Sequence, residues 1–324
     1  MHILVNPISG GWIVSQIAQY MVLRQEGYRP SILMGGSGGG LLSGVIASST
    51  HESATTEINQ LYDRLNIADS KYLFKNKLPG MLTFLTGIVS SSVYDHGEEF
   101  PESVFRLGTN APECIFTTYN ATTGKPAIFR HKGDYRKTKI IDLDKNLEFA
   151  EVYEIKSQHV FENVIRASFS IAGILPAVEI AGDNFLDSGT LSPSPFSYLS
   201  KNIPKKSKII YNSPFNLYNT PNGIKDASNV FFVMWGYIID IMIGAMLSDV
   251  NIGINLIGEK AKCKEGNDFK EAMSIYNKSE RCFMLVYPET SVNINMLNFH
   301  GTDLVKTVSK LTESRMFYKI WYKN

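Results

Sequence analysis

Ser37 lies inside the run Gly35-Gly36-Ser37-Gly38-Gly39-Gly40, between the short apolar stretch Ser31-Ile32-Leu33-Met34 and the apolar segment Leu41 to Ala47. A serine hydroxyl is a weak nucleophile until a base takes its proton and donors hold the oxyanion that forms. Gly35-x-Ser37-x-Gly39 fits G-x-S-x-G, in which flanking glycines allow the sharp strand-to-helix turn that exposes the serine oxygen. The helix that follows would point free amides and the positive end of its dipole at that oxygen. Ser37 is the candidate nucleophile, and Gly35, Gly36, Gly38 and Gly39 form its elbow. The same run could also cradle a phosphate or allow close packing. A P-loop requires Gly-Lys-Ser/Thr at its end, where Leu41-Leu42 stand, and G-x-G-x-x-G finds no register that keeps all three glycines.

The elements around the run decide what it can meet. Ile3-Leu4-Val5-Asn6 reads as a short strand ended by Pro7; Ser9-Gly10-Gly11 makes a turn, and a helix runs from about Trp12 to Gln25. Strand, glycine turn and helix then repeat around Ser37. Such an opening predicts a parallel sheet with both glycine turns at its carboxyl edge, so Gly10 and Gly11 become candidate oxyanion donors. Residues 55 to 107 are less regular, with Phe74, Leu78, Leu82, Phe84 and Leu85 suggesting a helical insertion that completes the core or caps the site. Cys114 to Tyr119 and Ala127 to Arg130 read as strands around a turn containing Gly124. Lys208 to Tyr211 and Cys282 to Tyr287 are further strands, and a last helix is expected over 302 to 313. Residues 230 to 257 are very apolar, but Asp240 and Asp249 interrupt the roughly 18 residues a spanning helix needs, so a buried helix is expected.

Composition removes whole classes of function. The 324 residues are 44% hydrophobic, and 32 Lys+Arg against 31 Asp+Glu leave a net charge of +1. No electrostatic footprint for nucleic acid exists in such a balance. Lys201, Lys205, Lys206 and Lys208 read as a solvated loop, with a phospholipid headgroup contact as the other reading. Cys114, Cys263 and Cys282 lack metal or redox spacing and suit a reducing compartment. His2, His51, His96, His131, His159 and His300 are scattered, so no metal site and no cofactor is predicted. The first residues carry no secretory leader, and the protein is expected in the cytoplasm or on the periphery of an intracellular membrane. Any membrane contact is expected through exposed apolar residues in the 72 to 94 region.

Three separated segments resemble the patatin-like phospholipase family. Ser9-Gly10-Gly11 with the helix ending Leu23-Arg24-Gln25-Glu26-Gly27 is similar to its oxyanion loop, and Gly35-Gly36-Ser37-Gly38-Gly39 to its elbow. Arg166-Ala167-Ser168, Ile174-Leu175-Pro176 and Phe185-Leu186-Asp187-Ser188-Gly189 resemble its Ala-Ser, Pro and Asp-Gly-Gly/Ala pattern. Weaker similarity covers Thr117 to Phe129 and Asn212. The resemblance implies a three-layer α/β/α fold with a mostly parallel central sheet. It also implies one domain over 1–324, with a motif-bearing core to about 215 and an extension over 216–324. The implied activity is hydrolysis of a lipid or ester through a Ser37-Asp187 dyad and an acyl-enzyme, with Ser188 and Gly189 completing the aspartate motif.

Trp12 and Ile13 replace the basic residue and glycine usual after the oxyanion glycines, and Ser188 replaces a glycine. These departures motivate the alternative of a catalytically impaired lipid-binding or structural protein. Read without Ser37, Asp187 would be a turn aspartate capping its own loop. A triad of Ser37, Asp187 and His300 has the chain order of α/β-hydrolases, but only one strand precedes the elbow strand, which argues against that fold.

Overall fold

The computed structural model describes residues 1–67, 74–76, 94–98, 101–106, 111–132, 147, 149–172, 175–189, 191–218, 230–289, 301–312 and 315–323. Its strands are β1 (His2–Asn6), β2 (Ile32–Gly36), β3 (Phe74–Asn76), β4 (Tyr94–His96), β5 (Glu113–Asn120), β6 (Lys125–His131), β7 (Glu151–Glu154), β8 (Val178–Ile180), β9 (Asp183–Leu186), β10 (Lys208–Asn212), β11 (Lys262–Gly266), β12 (Arg281–Pro288) and β13 (Met316–Lys323). The helices are α1 (Ile13–Gln25), α2 (Gly38–Ser49), α3 (Ala54–Ile67), α4 (Glu102–Phe105), α5 (Gln158–Ser168), α6 (Phe196–Leu199), α7 (Val230–Ile257), α8 (Phe269–Lys278) and α9 (Gly301–Thr312).

Eleven of the strands form one sheet in the path β11-β13-β12-β10-β1-β2-β5-β6-β7, with β9 added on β5 and β8 on β9. The middle five, β12-β10-β1-β2-β5, are all parallel, and antiparallel strands flank them. Period-two alternation sends Leu4, Leu33, Ile210 and Met284 to one face and Ile3, Val5, Met34, Tyr211 and Leu285 to the other. Both faces are apolar and both are covered, as a parallel sheet requires. Helices α1, α2, α5, α8 and α9 bury residues such as Ile17, Val45, Val164, Met273 and Val308 on the first face. Phe196 of α6 and Met246 and Val250 of α7 cover the second. The result is an α/β/α sandwich whose β1 and β2 end side by side, with Asn6 paired to Gly35.

Several expectations change against this frame. Phe74 stands in a short hairpin with β4 rather than on a helix, while Leu78, Leu82, Phe84, Leu85, most of the 72 to 94 region, Ile174 and His300 lie outside the described residues. The last element is β13, an aromatic strand inserted between β11 and β12. Its alternating burial depends on both neighbours. The long apolar helix is not buried all round: only 33% of its Ile239–Ile257 window is inside, with a mean hydropathy of 1.4. That window is long and apolar enough to cross a membrane, yet Asp249 within it is buried against the sheet while Asp240 is exposed.

Candidate active site

Local sequence dictates the turn at the end of β2. Ser37 has φ 51° and ψ −130°, one of three non-glycine residues with positive φ among the described residues. Such a conformation costs about 1–3 kcal/mol and persists only where surrounding packing imposes it. Here the packing is glycine against backbone. A side chain on Gly39 would place its Cβ 2.1 Å from the Asn6 carbonyl oxygen, and one on Gly36 would lie 2.6 Å from the Pro193 carbonyl oxygen. The turn is therefore pressed between the end of β1 and the loop after β9. Carbonyl Ser37 O closes the first turn of α2 by accepting from Gly40 N at 2.8 Å. Gly38 and Gly39 open that helix, so their N–H groups have no intrahelical partner.

The first glycine turn lies against this one. Gly10 adopts φ +49°, in the left-handed region that favours glycine, and starts a single 3-10 turn, Gly10–Trp12. A Cβ on Gly38 would sit 3.1 Å from Gly10 N. Gly10 and Gly11 open the 3-10 turn, which leaves their N–H groups unused by it, whereas Trp12 N donates to Ser9 O at 2.9 Å. Trp12 itself points into the core and meets Phe215 edge-on at 5.7 Å. The substituted positions Trp12 and Ile13 are thus filled by buried apolar packing.

Asp187 follows β9 and is held at both ends. Its N–H donates to Ser170 O at 2.9 Å, and Oδ1 accepts from Gly189 N at 2.7 Å. Oδ2 is fully buried and accepts no hydrogen bond. Burial pushes this carboxyl up to about 7, opposed first by the Ser37 hydroxyl and then by the Gly189 amide. Desolvation penalises the charged form, and among the described residues no cation offsets it. Ser37 is 3% exposed. The structure therefore brings Ser37, Asp187, Gly10, Gly11 and the elbow glycines together at one end of β1, β2 and β9. Ser188 does not need the freedom of a glycine: it lacks positive φ, and its hydroxyl donates to Thr117 Oγ1 at 3.2 Å. Gly189 answers a space requirement, since a Cβ there would lie 2.0 Å from Ile8 Cδ1. Among the described residues no group of three or more His, Cys, Asp or Glu could hold a metal ion.

Supporting groups appear that motif spacing did not single out for positioning. Ser168 Oγ lies 3.4 Å from Ser37 O, and Gly40 leaves it the room. Beneath the Gly10-Gly11 turn, Gln16 Nε2 donates to Pro7 O at 2.9 Å and to Asn212 O at 3.0 Å. Asn6 Nδ2 donates to Ser43 Oγ, and Asn212 Nδ2 donates to Asn6 Oδ1. The signal was there, since amides at the ends of apolar strands and inside an apolar helix need buried partners.

A parallel-centred α/β/α sandwich with its glycine turns and a buried carboxyl at the carboxyl edge belongs to the class of proteins that bind ligands at that edge. The model of the patatin-like phospholipase family matches residues 9–200, and the chain belongs to that family. The family is one of lipid acyl hydrolases. A solved structure, VipD from Legionella pneumophila, aligns with a TM-score of 0.36 and 10% identity over 96% of this chain and 66% of that chain. The chain thus spans just under two thirds of that protein. No curated protein matches it.

Proposed function

We propose that the protein hydrolyses a carboxylic ester of a lipid, a phospholipase A-type or broader esterase activity, with Ser37 as nucleophile and Asp187 as base. The carrying observation is the orphan Oδ2 of Asp187, a buried acceptor beside the hydroxyl of a serine held at φ 51°. Ser37 Oγ attacks the ester carbonyl while its proton passes to Asp187 Oδ2, and the Gly10 and Gly11 amides receive the carbonyl oxygen as it becomes an oxyanion. Collapse expels the alcohol, which takes the proton from Asp187 and leaves an acyl-serine. Water then attacks the acyl-serine with Asp187 again as base, releasing the fatty acid and restoring Ser37.

An aspartate is a weaker base than histidine, so alignment must supply what basicity does not; a carboxyl raised to about 7 is the better base for it. A fluorophosphonate probe is expected to label the wild-type serine and not Ser37→Ala, and a short nitrophenyl ester to be cleaved only by the wild type. One observation favours the other reading, a lipid-binding protein without turnover: Asp187 Oδ2 accepts no hydrogen bond in this structure. Folded protein that neither takes the probe nor cleaves the ester would establish that reading.

A further inference from the structure

The Ser9 hydroxyl is an unused donor beside the elbow. Ser9 is 0% exposed, and its Oγ makes no hydrogen bond. It stands at the N-cap position of the Gly10–Trp12 turn, where a serine hydroxyl ordinarily accepts from a backbone amide. Here the hydroxyl caps nothing, and only the Ser9 carbonyl serves the turn. Ser168, Ser170 and Ser194 are equally buried, and their hydroxyls donate to Ile165 O, Arg166 O and Asp249 Oδ2. Ser15 and Ser49 also lack a bond, but they are helical residues of α1 and α2, whereas Ser9 lies in the loop that meets the elbow.

Its place is set by Gly38. A Cβ there would lie 2.6 Å from Ser9 Oγ and 3.1 Å from Gly10 N. The hydroxyl and the Gly10 amide therefore flank one point beside the residue that follows Ser37, and glycine at 38 leaves them the room. Backbone bonds, not the hydroxyl, fix the loop: Ile8 N donates to Pro193 O at 2.7 Å and Trp12 N to Ser9 O at 2.9 Å. A donor held by its own backbone and bonded to nothing loses no partner when charge forms beside it. An unmet buried hydroxyl otherwise only destabilises the fold. The orphan Oδ2 of Asp187 is its acceptor counterpart across the site.

We propose that the Ser9 hydroxyl is a further oxyanion donor, a side-chain group acting with the Gly10 and Gly11 amides, and so a catalytic residue of the ester hydrolysis. The inference rests on the hydrolase reading. As Ser37 Oγ bonds to the carbonyl carbon, the carbonyl oxygen takes up the π electron pair, and Ser9 Oγ donates a hydrogen bond to it. The bond is released when the carbonyl re-forms, so Ser9 keeps its proton through acylation and deacylation alike. Because the bond is made only to the charged oxygen, its loss falls on kcat rather than on KM.

The test compares wild type, Ser9→Ala and Ser9→Cys on a short nitrophenyl ester. Alanine removes the hydroxyl, while cysteine keeps a group of similar shape that is a weak donor. Each variant should lower kcat by a factor of about 10²–10³ with KM within about twofold, and the pH half-point of kcat/KM should stay that of the wild type. A trifluoromethyl ketone, which takes up Ser37 to form a hemiketal oxyanion, should bind each variant more weakly by the same factor as the fall in kcat. The melting temperature of Ser9→Ala should equal or exceed that of the wild type, since the substitution removes an unmet buried hydroxyl. Ser9→Ala matching an active wild type, a loss confined to KM, unaltered ketone affinity or Ser9→Cys at the wild-type rate would each overturn the proposal and leave Ser37 and Asp187 in place. A melting temperature that falls together with activity would also overturn it, by giving Ser9 a packing role. A folded wild type that cleaves no ester and takes no fluorophosphonate would remove the hydrolase reading and the Ser9 role with it.

Discussion

Two aspartates with raised carboxyls, Asp187 and Asp249, are alike in their titration and differ in how their oxygens are satisfied. Each carboxyl is pushed up to about 7 by burial, and each has a serine hydroxyl beside it. Asp249 Oδ2 accepts from Ser194 Oγ at 2.8 Å and from Tyr211 OH at 3.2 Å, so both donors are engaged. Asp187 Oδ2 accepts from nothing, and its serine neighbour stands in a strained turn. A satisfied buried acid holds helix to sheet, while an unsatisfied one beside a strained hydroxyl stores the capacity to take a proton. The raised pKa does not tell the two apart; hydrogen-bond satisfaction does.

The widest separation between them should come from substitution. Ser37→Ala and Asp187→Asn are each expected to lower kcat/KM for a soluble ester by a factor on the order of 10⁴, with both variants folded. Asp249→Ala should do the reverse, leaving kcat/KM within about threefold but destabilising the fold by about 2–4 kcal/mol, because the Ser194 and Tyr211 hydroxyls lose their acceptor. Loss of activity in folded Asp249→Ala, or of folding in Asp187→Asn, would collapse the distinction.

The pH response separates the pair less widely. Ester cleavage requires ionised Asp187, so kcat/KM should rise with pH to a half-point at about 7 and then level off. Asp249→Asn should not move that half-point. Stability has the opposite sign. Each carboxyl binds a proton more tightly folded, at about 7, than at its ordinary 3.8. The native state thus holds protons that the unfolded chain has released, and stability falls as pH rises from about 4 to about 7. The full fall is up to about 4 kcal/mol per group, and urea midpoints for Asp249→Asn should show a distinctly flatter slope than wild type.

How much of this was legible beforehand follows from how local each signal is. The elbow and the turn at Gly10 were readable because glycine there meets a requirement that backbone contacts impose within a few residues or a neighbouring strand. Strands β10 and β12 announced themselves by uninterrupted apolar runs buried on both faces. By contrast β11, Lys-Cys-Lys-Glu-Gly, is mostly exposed and is a strand only because β13 pairs with it. β13 itself alternates buried and half-buried side chains over Met316 to Trp321 and was passed over although Met-Phe-Tyr-Lys-Ile-Trp-Tyr-Lys carries the period. Asp249 was read as an interruption of an apolar run, since nothing nearby in sequence shows that Ser194 and Tyr211 await it. Asp187 was found through its motif, and its orphan oxygen could come only from three-dimensional packing.

The smallest effect concerns the one altered position in the aspartate motif. If the loop that presents Asp187 needed a glycine's freedom, Ser188 would sit at positive φ, and restoring glycine would relieve strain and raise activity. Ser188 is outside that region, and its hydroxyl donates to Thr117 Oγ1 and, at 3.4 Å, toward Ser192 O. Ser188→Gly therefore removes a buried hydroxyl that has partners and loosens the unfolded chain without any gain in the folded one. The expected result is a loss of about 1 kcal/mol in stability, with kcat for a soluble ester within about twofold of wild type. A several-fold rise in kcat would show instead that Ser188 restrains the Asp187 loop, and the unpartnered Oδ2 would then mark misalignment with Ser37 rather than readiness.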